Sequence, residues 1–480
     1  MSTDIPAETT IAPAGLEFWM ACVTRECDGI HRGFAPGPVH DLRVALRRCR
    51  SIADGFMAFD PHPAWKLMKS ESRKLFQQLG ALRDTQVMLE WVQRLVPVQD
   101  EASFILRSYL EDQEAGYKEK AAEAVLEFNQ KKWNSWARIL SSRTRHIPTE
   151  SVVFQHLALE CLVEARELHR QAMRNRSQAA YHRLRIALKK FRYIVENFLP
   201  SRHEKWGAEL RDLQNILGEM HDLDVLWRTA LTIKAFGNER TRIEWRRRIS
   251  EESGARIEIY RAKMMGKTSL FLVWRSELPG PDQIQDAALA RIRIWAAFRD
   301  PDGPHSERVV KIALQIYDGL EALGLSQCDE LPEARRILRS AALAHAVGFH
   351  KTQKKRQVAS YRRIRKINPP LGLNADTLRH IALVVRFHRG SLPHLEQKTW
   401  SGISNAQRKG LVLLSGILRL ADAFDRLHGQ RVYRLELKKA GDILLITAPG
   451  YVEYDSSAEK LAAARHLLEI ACRLPILIRN

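Results

Sequence analysis

The chain has 480 residues, of which 76 are Lys or Arg and 56 are Asp or Glu, and its formal net charge is +20. This length exceeds one ordinary hydrophobic core, so we expect two or three domains. The excess of positive charge indicates a polyanionic partner, and nucleic acid, anionic lipid and inorganic polyphosphate all fit that description.

Several other classes of protein are excluded by simple patterns. The longest apolar run, LVLLSGIL at 411–418, is far shorter than the ~20 residues of a membrane span, so we expect no membrane passage. Six cysteines show neither a CxxC pair nor zinc-finger spacing, which argues against a disulfide framework or a zinc ribbon. The amino terminus lacks the basic start and apolar centre of a secretory signal, so we expect a cytoplasmic protein.

The first elements of the chain are two predicted helices. Residues 16–34 have an amphipathic helical pattern, and the sequence PGP at 36–38 predicts a break. The next stretch, HDLRVALRRCR at 40–50, places basic residues along one side of a helix and apolar residues along the other. The basic row consists of His40, Arg43, Arg47 and Arg50.

This design occurs twice. After a break at 60–63, a long helical pattern from Trp65 includes LGALRDTQVML at 79–89, and further helices extend to about residue 140. A helix after Ser151 then precedes HRLRIALKKFR at 182–192, which repeats the basic spacing 142 residues later. Its basic row consists of His182, Arg185, Lys189 and Arg192. LGEMHDLDVLW at 217–227 likewise aligns with 79–89 at an offset of 138, so the sequence predicts a duplicated helical bundle.

The doubled H-x-x-R-x-x-x-[RK]-x-x-R helix, with L-G-x-x-[RH]-D after each copy, resembles the CHAD domain, the conserved histidine α-helical domain. The resemblance implies a mainly α fold of two facing four-helix bundles over residues 1–279, with halves at about 16–145 and 146–279. It also implies that basic surfaces bind inorganic polyphosphate, and that the protein is associated with polyphosphate granules. The predicted binding residues are His40, Arg43, Arg47, Arg48, Arg50, Lys66, Lys69, Arg73, Arg83, His182, Arg185, Lys189, Lys190, Arg192 and Arg211.

Alternative interpretations of these residues remain open. A row of basic residues on a helix is commonly just a solvent-exposed polar face. Like charges one helical turn apart repel each other, however, and a row that occurs twice in one chain is harder to explain as a merely solvated face. Nucleic acid is a second possible ligand, but few aromatic residues are interleaved with the basic ones for base stacking. Asp84 and Asp222 are predicted either to orient an arginine or to be ordinary surface residues.

A second module is predicted at 285–480, after the Pro- and Gly-containing linker at 276–283. Its pattern is of helices followed by two strands and a last helix, which predicts an α+β arrangement with a small terminal sheet. The helical patterns lie at 305–323, 332–347, 374–388, 404–428 and 456–473, and the strand-like runs lie at 432–439 and 442–448. A short apolar tail, LPILI, follows the last helix.

This module resembles the carboxy-terminal HD-like domain of the exopolyphosphatase and guanosine pentaphosphate phosphatase family. The matching segments are HSERVVKIAL, AALAHAVGFH, IALVVRFHRGSLP and LSGILRLADAFDR, which begin at residues 305, 341, 381 and 414. That family's actin-like catalytic half has no counterpart in the 480 residues. The basic run KTQKKRQVASYRRIRK at 351–366 is predicted either to extend a phosphate-binding surface or to be a solvated segment.

A metal-dependent HD phosphohydrolase requires His, an adjacent His-Asp pair and a distant Asp as ligands. The candidates here are His305, His345 and Asp422, but Ala346 takes the place of the paired aspartate. We therefore expect a polyphosphate-binding protein without a cofactor rather than an enzyme. Phosphohydrolysis of polyphosphate or guanosine pentaphosphate is the enzymatic alternative, and nucleic-acid binding is the other.

Overall fold

The computed structural model describes residues 15–30, 36–95, 100–348, 355–394, 397–427, 434–452 and 456–480. Within these ranges the protein is mainly helical, with one small sheet near the carboxy terminus, as the sequence predicts. The chain divides into two compact units. The first extends to Pro281 apart from Phe59–Pro61, and the second begins at Asp282.

The first unit contains ten helices in its described residues, five in each half of the sequence duplication. The first half has α1 (Leu16–Ile30), α2 (Pro36–Met57), α3 (Pro63–Leu95), α4 (Glu101–Leu126) and α5 (Gln130–Thr144). The second half has α6 (Val152–Asn175), α7 (Gln178–Phe198), α8 (Pro200–Thr232), α9 (Glu239–Met264) and α10 (Leu270–Ser276). Four long helices in each half agree with the predicted bundles, and α5 and α10 are additional helices that pack on α1 and α6.

The two basic helices begin in different ways. The segment PGP, which the sequence predicts to precede the first basic helix, forms the first turn of α2. Proline is tolerated there because the first amide groups of a helix have no partner within the helix. Helix α7 instead begins after Ser177, whose hydroxyl accepts a hydrogen bond from the amide of Ala180 at 3.3 Å. Both helices bury an apolar face.

Corresponding helices of the two halves pack against each other, α2 on α7 and α3 on α8. This pairing is expected for two copies of one bundle related by a pseudo-twofold axis. Aromatic rings fill the junction: Phe154 stacks on Phe198 with centroids 4.0 Å apart, and Phe56 contacts Phe198 edge-on at 5.7 Å. A Cβ atom on Gly55 would lie 2.4 Å from the Phe198 ring, so glycine is required for this close approach.

The second unit is a helical domain with a small sheet. Its helices are α11 (Pro281–Ala297), α12 (Gly303–Ala322), α13 (Ala334–Ala344), α14 (Arg356–Ile364), α15 (Ala375–Phe387), α16 (Asn405–Leu427) and α17 (Ser456–Cys472), with a short 3-10 helix at Lys398–Trp400. Its strands are β1 (Glu436–Ala440), β2 (Ile443–Thr447) and β3 (Ile476–Arg479). The predicted helical patterns agree with α12, α13, α15, α16 and α17 to within a few residues.

Two segments of this unit differ from the sequence prediction. The apolar tail forms β3, which pairs in parallel with β2 so that Leu444 lies opposite Ile476. Burial alternates along β3, but the exposed Leu477 is as apolar as the buried Ile476 and Ile478, so these four residues show no alternation of apolar and polar side chains in the sequence. The second half of the predicted basic run forms α14, whereas residues 351–354 of that run lie outside the described residues.

The strand order is β1–β2–β3, with β1 and β2 forming an antiparallel hairpin around Gly441. Gly441 has φ of +58°, a left-handed conformation that suits glycine in a tight turn. Helix α17 connects β2 to β3 and packs closely on α16, where a Cβ on Gly416 would lie 2.9 Å from the Leu468 backbone. In the described parts of both units, every helix is too short or too polar to cross a bilayer.

Candidate anion-binding site

The central residues of the two predicted basic rows meet in the first unit. Arg43 and Arg47 come from α2, while Arg185 and Lys189 come from α7, and we call these four residues the basic cluster. The Lys189 ammonium interacts electrostatically with all three arginines. The cluster forms because α2 and α7 pack together and both have their basic residues one helical turn apart.

The aromatic ring of Tyr193 lies between cations of the two helices. The Arg47 guanidinium carbon is 5.9 Å from the ring centroid, and the Lys189 Nζ atom is 5.8 Å from it. Both distances are within the range of a cation–π interaction. Tyr193 therefore stabilises one cation of each helix, a role that the sequence analysis did not assign.

Within the described part of the chain, Arg47, Arg185 and Lys189 form no hydrogen bond or ion pair with another residue. Burial, together with the positive charges of Arg185, Arg47 and Arg43, lowers the pKa of Lys189 to about 8. Burial also lowers the pKa of Arg43. Like charges held together in this way destabilise the cluster, and a bound anion would relieve that repulsion.

Two carboxylates border the basic cluster. Asp84 on α3 interacts electrostatically with Arg43, Arg185 and Lys189. Asp222 on α8 is half-buried, and its burial raises its pKa to about 6 although Arg185 acts in the opposite direction. Both aspartates therefore offset part of the positive charge, and the interpretation that they orient an arginine stays a prediction.

Two predicted ligand residues, Arg43 of the basic cluster and Arg50, also form hydrogen bonds between helices. The Arg50 guanidinium donates to the Lys69 carbonyl at 2.9 Å and to the Ser72 hydroxyl at 3.2 Å, and Arg43 donates to the Leu79 carbonyl. These bonds link α2 to α3. Guanidinium groups used for packing have fewer donors left for an anion.

The pair Arg48 and Arg192 shares one carboxylate at the junction of the two halves. Arg48 lies 2.6 Å from a Glu196 oxygen, and Arg192 lies 3.5 Å from the same oxygen and donates to Gln214 at 2.7 Å. Arg192 is only 9% exposed. The sequence placed Arg192 on the ligand-facing row, but the structure buries its guanidinium, so ligand contact by Arg48 and Arg192 remains only a prediction.

The remaining predicted ligands lie around the surface. His40, Lys66, Arg73, His182 and Arg211 are exposed. Three others have acidic neighbours, since Lys69 pairs with Asp54, Arg83 with Glu90 at 3.0 Å, and Lys190 with Glu164 at 3.4 Å. Such exposed pairs are weak, so these cations can still exchange a carboxylate for a phosphate.

The second unit brings His305, His345 and Asp422 together, as their sequence pattern predicts. The three side chains are buried, and their ligand atoms lie within 4.8 Å of one another. The Nε2 atoms of His305 and His345 are 3.0 and 3.4 Å from the Asp422 Oδ1 atom. His305 lies in the first turn of α12, His345 follows α13, and Asp422 lies on α16.

Arginine side chains surround the same carboxylate. The Arg389 guanidinium donates to Asp422 Oδ2 through Nε at 2.8 Å and Nη2 at 2.5 Å, and Arg426 donates to Oδ1 at 2.8 Å. A divalent cation at this position would face two guanidinium groups and would lack the carboxylate that Ala346 replaces. The residues present therefore do not fit the metal centre of an HD phosphohydrolase.

The titration behaviour of this buried cluster is that of an ion-pair network. Burial acts to lower the pKa of His305, but hydrogen bonds to Asp422 and Asp425 raise it overall. Burial acts to raise the pKa of Asp422, but hydrogen bonds from His305 and His345 lower it well below its usual value. The sequence pattern indicates three members of the network but not Arg389, Arg426 or Asp425, although Arg426 is one helical turn from Asp422.

A further buried histidine adjoins the network. His388 lies with its ring centroid 5.4 Å from that of His345, and its Nδ1 atom donates to the Val385 carbonyl at 2.6 Å. Burial and the neighbouring His345 lower its pKa to about 3, so it is neutral at pH 7. The only sequence signal for this residue is its place in the segment RFHRG.

The structure describes residues 355–366 of the basic run at 351–366, and these residues include α14. Arg363 donates to the Val347 carbonyl, which ties α14 to the end of α13. Arg362, Arg365 and Lys366 lie on or just after the same helix, and the lysines at 351 and 354 lie outside the described residues. The role of this segment as a phosphate-binding surface remains a prediction.

Comparison with known proteins assigns both units. Residues 20–231 match the family described as CHAD domain, and residues 300–446 match the family described as Ppx/GppA phosphatase, domain III. No curated protein matches the chain. The crystal structure of the CHAD domain from the plant Ricinus communis is similar to this chain, with a TM-score of 0.40 and 20% identity over 58% of this chain and 98% of the plant chain. The protein thus combines a CHAD domain with a Ppx/GppA phosphatase domain III.

Proposed function

We propose that this protein binds inorganic polyphosphate at the basic cluster of its CHAD domain. The observation that carries the proposal is that Arg47, Arg185 and Lys189 lie close together and have no hydrogen-bonding or ion-pair partner among the described residues. Cations that are crowded and partly desolvated gain most from a ligand that carries several negative charges. A linear polymer of phosphates supplies these charges at short intervals and needs no apolar contact.

Nucleic acid is the competing polyanion. Its binding commonly adds stacking of bases on exposed aromatic rings. The aromatic ring beside the basic cluster is that of Tyr193. It is half-buried and already contacts Arg47 and Lys189. This arrangement favours a ligand recognised by its phosphates alone. Competition between long-chain polyphosphate and RNA or DNA of equal charge, measured across a salt series, distinguishes the two ligands.

The test of the site is the double variant Arg47→Glu with Lys189→Glu. Both side chains lie on the polar faces of their helices, so the variant should keep its helicity and lose polyphosphate binding. Arg138→Glu with Lys131→Glu is the matched control, because these exposed residues of α5 make the same change of charge away from the cluster. Undiminished binding by the first variant would exclude the basic cluster as the binding site.

The salt dependence measures how many residues contribute. If the four residues of the basic cluster are the contacts, the slope of log K against log salt should be about −3. If both predicted rows of four contribute in full, including Arg50 and Arg192, the slope should be about −5 to −6. A slope of about −3 would therefore support the assignment of Arg50 and Arg192 to helix packing, and it would also argue against ligand contact by His40 and His182.

We assign no hydrolytic activity to the second unit and propose that it binds or positions the same polymer. The absence of hydrolysis is supported by Ala346 and by the two arginines on Asp422. The proposed binding of the polymer is supported by the match to Ppx/GppA phosphatase, domain III. With Mg²⁺ or Mn²⁺, the purified protein should release no phosphate from polyphosphate or guanosine pentaphosphate above background. Release that disappears in a His345→Ala variant would establish a phosphohydrolase instead.

The proposed location of the protein is the cytoplasm, on polyphosphate granules. This follows from the proposed ligand, because a protein with affinity for the polymer accumulates where the polymer is stored. A fluorescent fusion should co-localise with stained granules, and the Arg47→Glu, Lys189→Glu variant should remain diffuse. Equal granule association of the two proteins would mean that something other than the basic cluster directs it there.

A further inference from the structure

The basic cluster consists of two pairs of residues on adjacent helices. Arg43 and Arg47 are four residues apart on α2, and Arg185 and Lys189 are four residues apart on α7. Side chains at this spacing lie on one face of a helix, one turn apart. Because α2 packs on α7, Lys189 has one arginine on its own helix and two on the neighbouring helix. A guanidinium does not lose its proton near neutral pH, so Lys189 is the one nucleophile among these four residues.

The amine of Lys189 is half-buried and forms no hydrogen bond or ion pair with another described residue. Because its pKa is about 8, roughly a quarter of these side chains are neutral amines near pH 7.5. An ordinary lysine, with a pKa near 10.4, is neutral in roughly one molecule in a thousand at the same pH. Burial and the neighbouring arginines therefore give Lys189 a population of the reactive, neutral form that an ordinary lysine lacks.

The surroundings of this amine favour a negative charge. Arg43, Arg47 and Arg185 all act against the ammonium. The carboxylate of Asp84 acts in the opposite sense, and Asp222 is close to Arg185, but the three guanidinium groups outnumber these two carboxylates. The Nε atom of Arg185 is also buried and has no hydrogen-bond partner among the described residues. An anion at the amine, one helical turn away, is placed to supply the acceptor that this donor lacks.

We propose that the Lys189 amine reacts reversibly with carbon dioxide and forms a carbamate among the three arginines of the basic cluster. The nitrogen lone pair attacks the carbon of CO₂, one C=O electron pair moves to oxygen, and the nitrogen releases a proton to solvent. R–NH₂ and CO₂ thus give R–NH–COO⁻ and H⁺, with no leaving group, metal or oxidant. The product places an anion where the ammonium is repelled, and its oxygens accept charge-assisted hydrogen bonds from guanidinium groups.

Carbon dioxide suits this amine better than other reagents that modify lysine. It is small and uncharged, so neither partial burial nor the positive charge of the cluster hinders its approach. Acetylation gives a neutral amide, which gains nothing from the arginines. Phosphorylation gives an anion, but it requires a phosphoryl donor with a leaving group.

The carbamate opposes polyphosphate at the same residues, because it turns a cation that attracts the polymer into an anion that repels it. The modification itself rests on the geometry of the basic cluster, whereas its effect on affinity rests on the proposed polyphosphate function. Apparent affinity scales with the fraction of molecules in which Lys189 is unmodified. Carbamate on half of the molecules should therefore weaken binding about twofold, and carbamate on nine-tenths should weaken it about tenfold.

The carbamate is detected on the full chain with isotopically labelled CO₂ near neutral pH. Carbonyl NMR should show a carbamate resonance apart from those of CO₂ and bicarbonate. Trapping with an alkyl oxonium reagent, followed by peptide mass spectrometry, should locate the carbamate on Lys189. The amino terminus is another amine with a low pKa, and the peptide map separates it from Lys189. The absence of a trapped carbamate on Lys189 would overturn the proposal.

Variants test whether the neighbouring charges stabilise the carbamate. Arg185→Gln should lower the carbamate fraction, because it removes the guanidinium one turn away, and Asp84→Asn should raise it, because it removes an opposing negative charge. Arg138→Gln on α5 is the matched control, since Arg138 is exposed and lies outside the cluster, and it should change nothing. Equal fractions in all these variants would contradict stabilisation by the basic cluster.

Polyphosphate affinity is then measured with chloride exchanged for bicarbonate at constant pH and ionic strength. The wild-type affinity should fall in proportion to the carbamate fraction, whereas Lys189→Arg should change far less, because a guanidinium attracts bicarbonate but forms no carbamate. Equal falls in the two proteins would show that bicarbonate competes as an ordinary anion, and would overturn the regulatory role. A trapped carbamate with unchanged affinity would support the modification and contradict polyphosphate binding at the basic cluster.

Discussion

The pH dependence of polyphosphate binding follows from Lys189, because the pKa of this side chain lies near 8 in the unbound protein. A bound polyanion favours the charged ammonium and raises that pKa, so binding takes up a proton wherever free Lys189 is neutral. Affinity should then fall as pH rises through 8. The substitution that tests this is Lys189→Arg, which keeps a positive charge at all relevant pH values.

The pKa of Lys189 determines how much the affinity for polyphosphate changes with pH. With a value of about 8, Lys189 is charged in roughly nine-tenths of molecules at pH 7 and in roughly one-tenth at pH 9. If binding requires the ammonium, affinity falls about tenfold over this interval, which is about 1.4 kcal/mol. In Lys189→Arg the affinity should be nearly constant between pH 7 and pH 9.

A second step is expected at lower pH. The pKa of Asp222 is about 6, because burial disfavours its charged form. Protonation of Asp222 below this value removes a negative charge beside Arg185, so affinity should rise again as pH falls through 6. Asp222→Asn should remove this step and leave the step near pH 8 unchanged.

The assay is fluorescence competition with long-chain polyphosphate at constant ionic strength from pH 5 to pH 9. Long chains are needed because their interior phosphates stay ionised throughout this range. A wild-type affinity that is flat between pH 7 and pH 9 would refute the reasoning. So would a tenfold fall in Lys189→Arg equal to that of the wild type, since another group would then be responsible.

Three further predictions concern the second unit. Gly416→Ala should lower the free energy of unfolding, measured by urea titration, by about 1 kcal/mol. Alanine has the better helix propensity, but its methyl group would crowd the Leu468 backbone, and we expect the crowding to be the larger effect. An increase in the free energy of unfolding would contradict the close packing. Asp422→Asn should cost about 3–5 kcal/mol, because it removes the buried carboxylate charge that Arg389 and Arg426 share. Asp318→Asn at an exposed pair should cost under about 1 kcal/mol, and equal costs would contradict the buried network. Ala346→Asp should not produce stoichiometric metal uptake in a dialysis assay, and uptake would point to a metal site that the arginines do not block.

The sequence predicted the helices of the first unit and their duplication because both depend on local regularities. Leucine and alanine at helical spacing identify the buried faces of α2 and α7, and the same spacing identifies the basic faces. The recurrence of the pattern indicates two bundles before any contact is known. In the second unit, the order of the matching segments similarly predicted that His305, His345 and Asp422 would come together.

The sequence could not tell which basic residues remain available to a ligand. Arg185 and Arg192 occupy equivalent positions of a helical stripe, yet Arg185 has no partner among the described residues and Arg192 is buried on Gln214 and Glu196. Arg192 differs from Arg185 because Gln214 of α8 and Glu196 lie within reach of its guanidinium. Helical periodicity gives the direction of a side chain but not its neighbour across an interface.

What the sequence alone determined is therefore most of the helices and the first two strands, their amphipathic faces, the duplication and the absence of an aspartate at position 346, whereas α11, α14 and β3 were not predicted. Tertiary structure decided the pairing of α2 with α7, which concentrates Lys189 and three arginines, and it placed Arg389 and Arg426 on Asp422. These features depend on charges from distant segments that are brought together only on folding, and burial together with the charge interactions between them sets the pKa values and the ligand that can bind.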